Sequence, residues 1–166
     1  MKIIFRSKAV YLLVSLVFVM TFALQACTEN NKLVEGPKTT KVIFDFRDSV
    51  LESALIHIKL IHDTYKDKNI VTDKPEFAVV FMGGSVNLLS KSRDGYSPED
   101  QKILEKIGEI ITAMSKDGIR LEVCMFAANL FGLDPDSILP EIHQIKNGWI
   151  SSIRYQEKGY VLVPVF

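Results

Sequence analysis

The chain has 166 residues, with 20 Lys+Arg against 20 Asp+Glu, 48% hydrophobic residues, 9 Gly and 6 Pro. A disordered tail, a collagen-like repeat or a disulfide-dense mini-protein would each need a compositional bias that is missing here. The level charge balance also argues against a general nucleic-acid binder, because neutralising phosphates takes an excess of Lys and Arg.

Lys2, Arg6 and Lys8 precede an uncharged stretch, Ala9 to Ala26, in which Val, Leu and Phe dominate. A basic segment, an apolar segment and small residues before a cleavage point make a secretory signal. The competing reading is a membrane-spanning helix, for which about 18 apolar residues is the lower bound. Leu24-Gln25-Ala26-Cys27 resembles the lipobox of bacterial lipoproteins. That resemblance implies a signal peptide over 1–26 and a mature chain that starts at Cys27, carrying a diacylglycerol thioether and palmitate-type acyl chains. It also implies a membrane anchor facing the periplasm, and Thr28, not being acidic, points to the outer membrane. Residues 27–40 are mostly polar, with Gly36 and Pro37, and read as a flexible tether. Cleavage changes the balance to 17 basic against 20 acidic residues. With Cys27 lipidated, Cys124 keeps the one free thiol and no intramolecular disulfide can form.

From Lys41 strand and helix patterns alternate. Lys41–Phe46 is a strand-length apolar run. Ser49 and Glu52 have the spacing of a capping box, and Leu51 to Lys66 carries apolar residues at helical intervals. Glu76–Met82 is continuously apolar from Phe77 on, as in a strand covered on both faces, and ends at Gly83-Gly84. Ser97-Pro98-Glu99-Asp100 opens a helix that Gly118 stops. A third strand is expected over 119–123 and a short helix over 125–131. Pro135 starts a further turn, and a weak fourth strand spans 141–146. Asn147 caps a helix reaching Lys158, and 160–165 forms the last strand. Such alternation requires crossover connections. The fold expected over 41–166 is therefore a single α/β domain, a three-layer α/β/α sandwich with a mainly parallel sheet of about five strands.

Ligands of open parallel sheets bind beyond the carboxyl ends of the strands. That rule selects Asp45 and Arg47, then Gly83, Gly84 and Ser85, then Cys124, then Asn147, Gly148 and Trp149. Cys124 lies where helix-start N–H groups would favour a thiolate, the nucleophilic form; a buried, inert thiol is the alternative. Gly83-Gly84-Ser85 is either an anion cradle or simply a tight turn. Trp149 either lines the cleft or joins the core. His57 and His62 are five residues apart on one helix and cannot chelate one metal. His62 falls in the apolar stripe as a half-buried, satisfied side chain, and no metal site or cofactor is expected. Glu105 and Glu109 alternate with Lys102 and Lys106 as on a solvated face.

The stretch from Asn147-Gly148-Trp149-Ile150 to Lys158-Gly159-Tyr160, followed by Val161-Leu162-Val163-Pro164, is similar to the closing segment of extracytoplasmic members of the DsrE/DsrF-like family. Phe81-Met82-Gly83-Gly84 and Gly118-Ile119-Arg120-Leu121-Glu122-Val123-Cys124 support the resemblance. It implies a parallel five-stranded α/β/α domain that assembles into oligomers, homo-oligomers in the first instance. It also implies a sulfur-relay role in which Cys124 accepts sulfane sulfur as a persulfide and exchanges it with a donor or acceptor protein. The competing expectation is a non-catalytic oligomeric module, binding a small ligand or a partner at the strand-end cleft, with Cys124 only structural. Gly83, Gly84, Ser85, Asn147 and Trp149 are the cleft candidates on either reading.

Overall fold

The computed structural model describes residues 40–68 and 75–166. All of these lie within Gly36–Phe166, one of the chain's two units. The expected signal peptide, Cys27 and all of the expected tether but its last residue fall outside the described residues. Among the described residues no helix is long and apolar enough to cross a membrane.

Five strands form one sheet: β1 (Lys41–Phe46), β2 (Glu76–Phe81), β3 (Arg120–Cys124), β4 (His143–Ile145) and β5 (Val161–Val165). Their order is β4-β3-β2-β1-β5, and every pair is parallel. The helices are α1 (Leu51–Lys66), α2 (Pro98–Asp117), α3 (Met125–Leu130) and α4 (Gly148–Glu157). Short 3-10 segments at Gly83–Leu89 and Pro135–Ser137 complete the connections.

Register puts Phe44, Val79 and Leu121 side by side, with Phe46, Phe81 and Val123 one step on along the same face. Across β1, β2 and β3 this face is apolar, and Gln144 of β4 continues it at the sheet edge. Phe77 meets Phe44 and Tyr65 of α1 with ring centroids 5.3 and 5.4 Å apart, and α1 packs on α2. Alternation sends Ile43, Asp45, Val80 and Glu122 to the opposite face. There the chain must return from β4 at one edge to β5 beyond β1. The helix α4 makes that return across the sheet, in contact with β1, β2, β3 and β5. The three layers are therefore unequal, with α4 crossing a face that the other long helices leave to it.

Local structure agrees with the sequence at most boundaries. The Ser97 hydroxyl accepts from the Asp100 amide, and the Asn147 side chain accepts from the Trp149 and Ile150 amides at 2.9 and 3.3 Å. One cap differs. Ser49 and Glu52 do not form the expected box; Val50 holds the N-cap position of α1 without a side-chain bond of its own. Asp48 does the work instead: it accepts from the Val50 amide at 3.0 Å and from the Ser53 hydroxyl, and lies 2.8 Å from His57 Nδ1. Burial opposes ionisation of Asp48, but these bonds outweigh it and hold the carboxyl below its ordinary range. His62 is buried and satisfied, 2.7 Å from Asp117. The third strand runs one residue later than expected, so Cys124 is its last residue and also the N-cap of α3. The fourth strand is only three residues long, because Pro140 precedes it and its side chains are largely exposed.

Candidate functional site

Met82, Gly83, Cys124, Ala127, Asn147 and Trp149 line a cavity of about 150 Å³ beyond the ends of β1, β2 and β3; Arg47 and Phe126 complete it. Four residues selected from the sequence by their strand-end position, Gly83, Cys124, Asn147 and Trp149, therefore share one cavity. Arg47, also selected, joins them. Gly84 and Ser85 are not among its lining. Ser85 is wholly buried and is positioned to donate to the carbonyls of Phe46 and Met82, both at 2.8 Å. That hydroxyl ties the 3-10 segment to β1 and is spent on structure. Gly84 packs beside Ser49 instead. Gly83, at φ +59, supplies the left-handed residue that turns the chain out of β2.

Cys124 is 5% exposed, whereas Trp149 beside it is 63% exposed. The cysteine is thus nearly closed off from solvent, while Trp149 and Phe126, which line the same recess, are largely exposed. Arg47 brings a permanent cation to the recess. Its guanidinium is held in a fork by Asp45, with Nε 2.9 and 3.1 Å and Nη2 3.0 Å from the carboxylate oxygens. Hydrogen bonding to Asp45 raises the Arg47 pKa further, against desolvation.

Gly148 explains how the recess stays narrow. A Cβ at this position would lie 2.4 Å from Met82 Sδ, 2.7 Å from Met82 Cγ and 3.1 Å from Cys124 Cβ. The first turn of α4 can press against β2 and β3 only because this side chain is absent.

Glu122 holds the rest of α4. It is 5% exposed, yet lies in a strand between Leu121 and Val123. Ser151 donates to its Oε2 at 2.6 Å and Tyr155 to its Oε1 at 3.1 Å; Arg120 Nε adds a third donor at 3.2 Å. Burial first, then Glu122, pushes the Tyr155 phenol up, so it remains a protonated donor. A side chain at the Ser151 or Tyr155 position without a hydroxyl would leave Glu122 short of a partner inside the protein. Sequence reading did not select Glu122, Ser151 or Tyr155. A charged residue inside an otherwise apolar buried strand was the available signal, although its partners are 29 and 33 residues away.

The DsrE/DsrF-like family model matches residues 41–164, and the chain belongs to that family. Among solved structures it is similar to MTH1491, a protein of unknown function from Methanobacterium thermoautotrophicum, at 18% identity and a TM-score of 0.59, covering 75% of this chain and 98% of that one. It is also similar to the ychN protein from E. coli, at 15% identity and a TM-score of 0.49, covering 76% and 99%. No curated protein matches the sequence. The fold expected from strand and helix alternation is thus the fold of the family.

Gly148→Ala drives a methyl into Met82 and the Cys124 β-carbon, an overpacking cost of about 1–3 kcal/mol. Thermal or urea denaturation should show the loss, with the native far-UV signal retained. A variant as stable as the parent would mean that α4 can lift without penalty.

Proposed function

We propose that the protein is a sulfur carrier of the DsrE/DsrF-like family, with Cys124 as the group that holds sulfane sulfur. The observation that carries this reading is the meeting of Cys124 and Arg47 in one small recess at the strand ends. A thiolate there attacks the sulfane sulfur of a persulfide donor. The new S–S bond forms at Cys124, the donor's S–S bond breaks, and the donor leaves as a thiolate. A thiol acceptor reverses the sequence. Sulfur passes between thiols without a cofactor or external oxidant.

The low exposure of Cys124 favours the competing reading, a ligand-binding or interaction module with a structural thiol. On the carrier reading, a recess that shields the persulfide protects it from adventitious thiols. Two exposed aromatic side chains, Phe126 and Trp149, line the recess, and their movement would give a donor access to the thiol.

Self-association and a membrane tether belong to the same proposal. Trp149, Ile150 and Ile153 on α4, with Val161, Val163 and Phe166 at the sheet edge, are exposed apolar residues. An apolar surface of this kind supports burial against further copies of the chain. Leu24-Gln25-Ala26-Cys27 supports lipid anchoring in the envelope, facing the periplasm. Labelled palmitate should mark the parent and not Cys27→Ser; a labelled Cys27→Ser chain would refute the anchor.

Intact mass after incubation with inorganic polysulfide tests the carrier directly. The parent should gain the mass of sulfur atoms that a reductant removes, and Cys124→Ser should lose that gain while melting like the parent. Equal loading of both proteins would end the carrier reading.

A further inference from the structure

Next to the Cys124 recess is a larger cavity of about 560 Å³. Phe126 and Asn147 line both, so the two spaces meet at those side chains. Their sizes divide the work. Small-molecule sites occupy roughly 300–1,000 Å³. The recess, at about 150 Å³, admits the sulfur end of a donor and not its body. The larger cavity has room for the body.

Its chemistry selects the kind of body. Lys146, Arg154 and Lys158 all line it, against Glu122 as the one acidic residue of the lining. Glu122 is already engaged by Arg120, Ser151 and Tyr155. None of Lys146, Arg154 and Lys158 is ion-paired among the described residues. Arg154 lies in the last turn of α4 and Lys158, four residues on, is its C-cap, so two like charges stand at the same helix end. The rim is therefore a cluster of uncompensated cations, and an anion placed there relieves their mutual repulsion. Ile145, Ile150 and the exposed ring of Phe126 add an apolar wall.

We propose that this cavity binds the body of a small organic polyanion, a thiol or persulfide bearing carboxylates, with its sulfur end crossing Phe126 and Asn147 toward Cys124. The carboxylates pair with Lys146, Arg154 and Lys158, and the short apolar stem lies on Phe126 and Ile150. The sulfur end rests on the carrier reading of Cys124; the anion site rests on its own residues. Transfer keeps the balance given above: the donor's S–S bond breaks, the sulfane sulfur joins Cys124, and the donor departs as its thiolate still held by the cationic rim until exchange.

Glutathione, which has two carboxylates and no sulfane sulfur, serves as the probe. Equilibrium dialysis of labelled glutathione against the full chain carrying Cys124→Ser, under reducing conditions, isolates the anion site from thiol chemistry. Saturable binding is expected, weakening at least about tenfold when Arg154→Glu and Lys158→Glu are added, and weakening with salt. Both positions are exposed, so the melting temperature of the charge-reversed chain should match that of its parent. Absence of saturable binding, or equal affinity after charge reversal, overturns the proposal. Failure of the parent to load sulfur from polysulfide would sink the carrier while leaving glutathione binding intact. Loading from polysulfide without glutathione binding would sink this inference alone and direct attention to a protein donor.

Discussion

A carboxyl group that has lost its water must find donors inside the protein, and Glu122 meets that demand with a helix. Ser151 and Tyr155 reach it from α4 at 2.6 and 3.1 Å. Leaving the buried carboxyl without these donors would cost about 1–3 kcal/mol or more. The position of α4 over β3 is thereby decided, and much else depends on it. With α4 in place, Gly148 meets Met82 and Cys124, Asn147 lines both cavities, and Trp149 lines the smaller one. Topology makes this anchoring necessary. One helix carries the chain from β4 back across the sheet to β5, and α1 and α2, which pack on each other, are not there to brace it.

The two faces of the sheet consequently have different roles. The face under α1 and α2 presents Phe44, Phe46, Phe77, Val79, Phe81, Leu121 and Val123, all buried, while Ile43, Ala78 and Val80 carry the core on the opposite face. The face under α4 holds the polar groups, Asp45 with Arg47 and Glu122 with its three donors. Strand alternation alone makes this separation possible, since a residue moved by one position changes face. Cys124 belongs to the second face, which is why a thiol at the end of a buried strand still borders a cavity.

Much of the fold could be read from the chain because its signals are local. Continuous apolar residues from Phe77 to Phe81, the Ser97-Pro98 start of α2 and the Asn147 cap of α4 each lie within a few residues of what they specify. Cys124, Arg47, Gly83, Asn147 and Trp149 could be selected because parallel topology puts all strand ends on one side. What the sequence did not reveal depends on contacts between distant residues or on choices between neighbours. Ser49 and Asp48 are both good caps one position apart, and only the His57 and Ser53 side chains decide for Asp48. Gly83-Gly84-Ser85 has the composition of an anion cradle, but the Ser85 hydroxyl is spent on the carbonyls of Phe46 and Met82. Gly148 reads as a helix-start glycine, and only the approach of Met82 shows why no side chain fits. The pairing of Glu122 with α4 has no local signature.

Carrier and structural module differ most plainly in whether reagents reach Cys124 in the folded protein. The most direct measurement is the rate of iodoacetamide alkylation at Cys124 in the full chain, without denaturant and again across a denaturant series. The account predicts labelling under native conditions, at a rate that does not follow global unfolding, because local movement of the exposed side chains that line the recess, Trp149 and Phe126, suffices for access. Cys124 that stays unlabelled until the whole domain unfolds, with a rate that tracks global stability, would contradict it and leave the thiol a buried structural residue.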